Sequence, residues 1–110
     1  MFKSLFLTLI ISLTLNIAKA ATITCQVKIN GALISQKVIH SELDTKSNIT
    51  QRPELTAHVT EKSKQFFTIE AFLPSYDARI YAEGHLKNTA DKVAASLWGR
   101  DILVDLECGL

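Results

Sequence analysis

The side chains able to do chemistry in this chain are few: three histidines (His40, His58, His85), a carboxylate pair (Asp105, Glu107) and two cysteines (Cys25, Cys108). A metal centre built from local sequence uses spacings such as H-x-H or H-x-x-x-H, and neither is present. Two of the histidines alternate with apolar residues and so read as solvated surface groups. A Ser–His–Asp hydrolase presents its nucleophile on a strained turn such as G-x-S-x-G, and no such motif occurs. Asp105 and Glu107 fall on one face of a strand, about 7 Å apart by strand rise. Glycosidases also use two carboxylates, but theirs flank a deep cleft, and a chain this small has little material for one. The four glycines are isolated, so phosphate-cradling loops and dinucleotide fingerprints are absent. The expectation is a non-enzymatic protein without cofactor or metal. Asn48-Ile49-Thr50 has the form of a glycosylation sequon in a loop.

Residues 1–20 have the pattern of a cleavable signal peptide. Lys3 is the basic start, Leu5 to Leu15 the apolar stretch, and Ala18 and Ala20 the small residues before a cut after Ala20. The apolar run is shorter than the roughly 20 residues a spanning helix uses, and no stop-transfer pattern follows, so no stable membrane insertion is expected after cleavage. Thr24 before Cys25 does not fit a lipobox. The expected organisation is therefore signal peptide 1–20 and one domain, 21–110, in a secreted or periplasmic protein. Of the 12 basic residues, Lys3 and Lys19 lie in the signal, which leaves ten against 11 acidic ones and a net charge of about −1. A nearly neutral domain lacks the basic footprint of nucleic-acid binding. Small domains bury modest cores and often need a covalent staple. In an exported chain two cysteines pair by default, and Cys25 and Cys108 stand near the two ends of the domain.

The chain between them is patterned for strands. Ile23, Cys25, Val27 and Ile29 alternate with polar residues. Asn30-Gly31 then suits a type I′ turn, and the return strand through His40 carries Ala32, Ile34, Gln36 and Val38 on one parity. Residues 41–53 lose periodicity and read as a long connection. Strand three turns Leu55, Ala57 and Val59 inward, strand four Phe67, Ile69, Ala71 and Leu73, and strand five Ile80, Ala82 and Leu86. Gly84 interrupts that last row, which suggests a bulge or a close backbone approach. Residues 89–98 fit either a short helix capped by Asn88 or Thr89 and ended by Gly99, or a strand with Val93, Ala95 and Leu97 inward. The short gap before the alternating segment 101–108 favours the strand. Cys25 and Cys108 each take the inward parity of their strands. The expected fold is all-β: an antiparallel sandwich or barrel of about seven strands, closed by one disulfide, with a short helix near 89–98 left open.

Phe66, Phe72, Tyr81, Trp98 and Leu103 occupy outward positions and form the candidate partner-binding set, with Glu83 and His85 as its rim, because exposed apolar area and aromatic anchors mark contact surfaces. The layout of a domain near 90 residues, all β, with a cysteine in each terminal strand resembles that of the small periplasmic inhibitors of C-type lysozyme. Ser75-Tyr76-Asp77-Ala78-Arg79-Ile80-Tyr81 lacks the glycine of that family's Ser-Gly-Ala loop, so no residue role carries over. The functional expectation is a binding protein for a protein or envelope component, an inhibitor being its sharper form. The alternatives are a self-associating envelope module and, further off, a small hydrolase.

Overall fold

Asn30 and Gly31 both take positive φ, 52° and 83°, the combination a type I′ turn requires. The hairpin they close opens a computed structural model that describes residues 21–110; the expected signal peptide, 1–20, lies outside the described residues. Eight strands follow one another: β1 (Thr22–Ile29), β2 (Ala32–His40), β3 (Lys46–Arg52), β4 (Leu55–Ser63), β5 (Phe66–Leu73), β6 (Ala78–His85), β7 (Lys92–Trp98) and β8 (Leu103–Gly109). The helical content among the described residues is one 3₁₀ turn, Pro74–Tyr76, between β5 and β6.

The strands form two antiparallel sheets, β2-β1-β8-β7 and β3-β4-β5-β6. Each strand therefore lies beside its neighbours in sequence, and β8 returns to pair with β1. The result is an up-and-down meander split into two four-stranded halves. Side chains stitch β2 to β3: Lys37 Nζ donates to the Asn48 carbonyl at 3.1 Å, Ser35 Oγ to that of Ile49 at 3.3 Å, and Arg52 to that of Ile34 at 3.0 Å. These bonds occupy edge carbonyls that would otherwise invite pairing with another chain. Ile23, Val27, Leu55, Val59, Phe67, Ile69, Leu106 and both cysteines are fully or almost fully buried in one core between the halves. Cys25 and Cys108 face each other directly in the β1–β8 ladder and are bonded, with Cα atoms 4.1 Å apart. Such a bridge belongs to an oxidising compartment.

Several expectations need correction. There are eight strands, not seven, because β3 arises in the unpatterned stretch 41–53. Its apolar content is a single residue, Ile49, which a bulge against β4 turns into the core while Thr50 is buried beside it. The sequon Asn48-Ile49-Thr50 thus lies in an edge strand, not a loop. The parity of β2 also flips. A bulge opposite Val27/Lys28 sets Ser35, not Ile34, against Val27, so Ile39 becomes core and Val38 is 57% exposed. Residues 92–98 are strand, so the short helix does not form. The capping groups instead close one turn: Asp91 Oδ2 accepts from the Lys87 and Asn88 N–H groups and Asn88 Oδ1 from Ala90. Beyond that turn, Val93 and Leu97 pair into the β8 ladder. At Gly84 the ladder runs without a bulge, and no close backbone approach is found: a Cβ there would meet only the Val93 side chain, at an ordinary contact distance of 3.4 Å.

A buried carboxylate pins the β2–β3 connection. Glu61, 6% exposed, accepts from the Ser41 hydroxyl at 2.8 Å and from the Gln65 N–H at 3.1 Å. Its carbonyl accepts from the Asp44 N–H at 2.7 Å. Hydrogen bonds to an ionised group are stronger than neutral ones, and their loss leaves buried donors unpaired. Glu61→Ala is expected to cost about 2–3 kcal/mol in urea unfolding, and Ser41→Ala less. The double variant should fall short of the sum, since the two groups share one bond. A cost for Glu61→Ala within the scatter of surface substitutions, about 0.5 kcal/mol, would contradict this role.

Candidate functional site

Alternation leaves each sheet an outer face, and the two faces carry different chemistry. On β3-β4-β5-β6 the ladder sets residues in rows. Asn48, His58, Glu70 and Tyr81 form one row, and Gln51, Thr56, Phe72 and Arg79 the next. Lys46 begins a third, with Thr60, Thr68 and Glu83. Lys46, Thr56, His58, Glu70, Phe72 and Arg79 line a concavity of about 260 Å³. Lys46 Nζ lies 3.3 Å from a Glu70 oxygen, and the Arg79 guanidinium sits 5.4 Å from the Phe72 ring centroid. His58 Nδ1 is buried and makes no hydrogen bond. The Tyr81 hydroxyl donates to Glu83 Oε2 at 2.9 Å. That bond, then desolvation and the charges of Glu83 and Glu70, hold the Tyr81 phenol above its ordinary pKa.

On β2-β1-β8-β7 the outer face carries Gln26, Lys28, Ala94, Ser96, Asp105 and Glu107 around a dish of about 310 Å³. Ser96 Oγ donates to Asp105 Oδ1 at 2.6 Å. Asp105 and Glu107 do lie on this one face, as alternation places them, but over a shallow dish open to solvent. Trp98 and Leu103 are cross-strand partners one row further, where β7 turns into β8. Trp98 is 80% exposed, the most exposed of the large apolar side chains among the described residues. The turn beneath it is fixed by the Gly99 N–H to Ile102 carbonyl bond, 2.7 Å, and by Asn30 of the neighbouring hairpin, whose Oδ1 accepts from the Leu103 N–H at 2.8 Å.

The five outward residues are therefore not one cluster. Trp98 and Leu103 meet on one sheet, while Phe66, Phe72 and Tyr81 stand on the other. Phe66 and Phe72 are about 20 Å apart along β5 by strand rise. Phe66 packs on His85, ring centroids 4.8 Å apart, and Phe72 lies under Arg79. Both are half-buried by these neighbours, and only Tyr81 on that sheet stays exposed. Glu83 and His85 accordingly rim Tyr81 and Phe66, not Trp98. Parity singled out the correct outward residues; sheet membership, which separates them, is set by strand order. The histidines do not converge either. His40 bonds Thr22 at 3.1 Å on one sheet, and His58 and His85 lie on the other. Among the described residues no group of three His, Cys, Asp or Glu side chains is placed to hold a metal. No helix there is long and apolar enough to cross a membrane.

The Lys46–Arg79 concavity is not visible in the linear pattern. Thr56, His58, Glu70 and Phe72 had an outward parity to find them by, but Lys46 lies in the stretch without periodicity. No protein-family model matches the chain, and neither a curated protein nor a solved structure matches it.

Proposed function

We propose that this is an exported, non-enzymatic binding domain, released by cleavage after Ala20, that engages a protein or another envelope component through the end of the β7–β8 hairpin. The observation that carries the reading is Trp98: a large ring left almost wholly in water on a regular strand, beside Leu103, over a turn held at both sides by hydrogen bonds. An indole gains little for folding in that position, whereas rigid aromatic anchors dominate interface energetics. The disulfide agrees with export, because such bridges persist in oxidising compartments. An inhibitor is the sharper form of the same reading, since a braced aromatic tip suits insertion into a partner's cleft. Self-association is a weaker reading, because side chains occupy carbonyls of the β2 and β3 edges.

The test is a paired pull-down from envelope extracts with the domain and its Trp98→Ala variant as baits. A partner retained by the first and lost by the second is the expected result, with affinity reduced by about 2 kcal/mol or more. Trp98→Ala should cost less folding stability than Val104→Ala, which removes fully buried volume. Equal retention by both baits would move the contact surface elsewhere.

A further inference from the structure

We propose that the outer face of β3-β4-β5-β6 holds a binding site for a phosphate group, in the concavity lined by Lys46, Thr56, His58, Glu70, Phe72 and Arg79. Three strands supply donors to it: Lys46 from β3, Thr56 and His58 from β4, Arg79 from β6. Arg79 is held by its contact with the Phe72 ring and has no acidic partner among the described residues, so its N–H fork stays available. Arg and Lys are the side chains that recognise phosphate, the first as a planar fork and the second as a point charge. Thr56, also in the lining, adds a hydroxyl. His58 lines the same concavity, and its buried Nδ1 makes no hydrogen bond.

The geometry favours a tetrahedral oxyanion over a carboxylate. A planar carboxylate is satisfied by one arginine fork, whereas donors reaching in from Lys46 and Arg79 at opposite corners need acceptor oxygens pointing several ways. One group opposes the ligand: the Glu70 carboxylate, opposite His58 in the ladder and 3.3 Å from Lys46. Lys46, Arg79 and the Glu70 carboxylate together give the concavity a formal charge of +1. Bound phosphate takes Lys46 from Glu70. The site is open to solvent and holds about 260 Å³, so a phosphate monoester fits as well as the free ion. It lies on the sheet that does not carry Trp98, and the proposal stands apart from the partner surface assigned there.

The experiment is a titration of the ¹⁵N-labelled domain with inorganic phosphate, glycerol 3-phosphate and acetate at constant ionic strength, read on the His58 ring and Arg79 side-chain resonances. Saturable shifts with both phosphates are expected, with acetate at least tenfold weaker. Stronger binding of the ester identifies a phosphate monoester as the ligand; equal binding identifies phosphate itself. Arg79→Gln and Lys46→Gln alter exposed side chains and should each weaken binding at least tenfold with an unchanged thermal midpoint. Glu70→Gln should strengthen it several-fold, and Trp98→Ala should leave it unchanged. Shifts that do not saturate, that persist in Arg79→Gln, or that acetate reproduces at equal concentration would overturn the proposal.

Discussion

Replacing Cys25 and Cys108 together by alanine is expected to remove about 4.5 kcal/mol of stability, the largest loss any single link in this fold should produce. The bridge joins residues 83 apart in sequence, so it restrains nearly the whole unfolded domain, and the chain-entropy cost of an open loop grows with its length. A domain of ninety residues has roughly 5–13 kcal/mol in all, which makes this a third or more of the total. The native side loses less. Both sulfurs are fully buried, but Cys25 and Cys108 stand opposite each other in a ladder that also pairs Val27 with Leu106 and Ile29 with Val104. The ladder survives the substitution, so the variant should fold to the same structure with a lower urea midpoint and an m-value raised by the looser unfolded chain. A midpoint moved by less than the equivalent of about 1 kcal/mol would mean that the unfolded domain stays compact without the bridge. Reduction of the native protein by dithiothreitol should reproduce the loss.

Where a strand has one wet face and one dry face, its residues announce it: β1, β4, β5 and β8 have the inward rows read from their alternation. Period two fails where the backbone departs from period two. The bulge in β2 exchanges Val38 for Ile39, and the bulge in β3 lets Ile49 and Thr50 both be buried. A bulge is an extra residue in a ladder, so its position is decided by two strands at once and leaves no mark in either alone. The segment 88–98 fails differently. Its cap residues close a single hydrogen-bonded turn, Asn88 to Asp91, with no helix following, and pairing with β8 decides the rest. The candidate sites show the same division. Outward parity found Trp98 and Leu103 on the last hairpin, and the register of its two strands makes them cross-strand partners. It could not say that Phe66, Phe72 and Tyr81 belong to another sheet, and it gave Lys46 no place at all. Strand order also explains the disulfide more closely than parity did: β8 pairs with β1, so the two cysteines are side by side within one sheet.

The sharpest check on that register is the pair Phe66 and Phe67. They are the same residue type at consecutive positions of β5, and alternation sends them to opposite faces. Phe67 is fully buried, opposite Gly84 in the ladder, and is among the largest wholly enclosed side chains. Phe67→Ala removes its transfer free energy and leaves a cavity that the surrounding strands cannot fully close, a cost of about 3–5 kcal/mol. Phe66 lies on the outer face, half-buried against the His85 ring. Phe66→Ala forfeits a cross-strand pair worth about 0.2–1 kcal/mol and creates no cavity. The ratio between the two, read from urea midpoints at constant m, is the discriminating quantity, because both variants lose the same atoms and change strand propensity alike. The bulge at Glu61/Ser63 bears directly on this result. It lies where β4 turns into β5, and there Ser63, not Lys62, pairs with Phe66. If the bulge were absent, β5 would slip by one residue against β4 and every side chain on it would change faces. Costs that came out equal, or reversed, would therefore show that β5 does not hold this register, and with it would fall the outward placing of Glu70 and Phe72 on which the concavity of the second sheet depends.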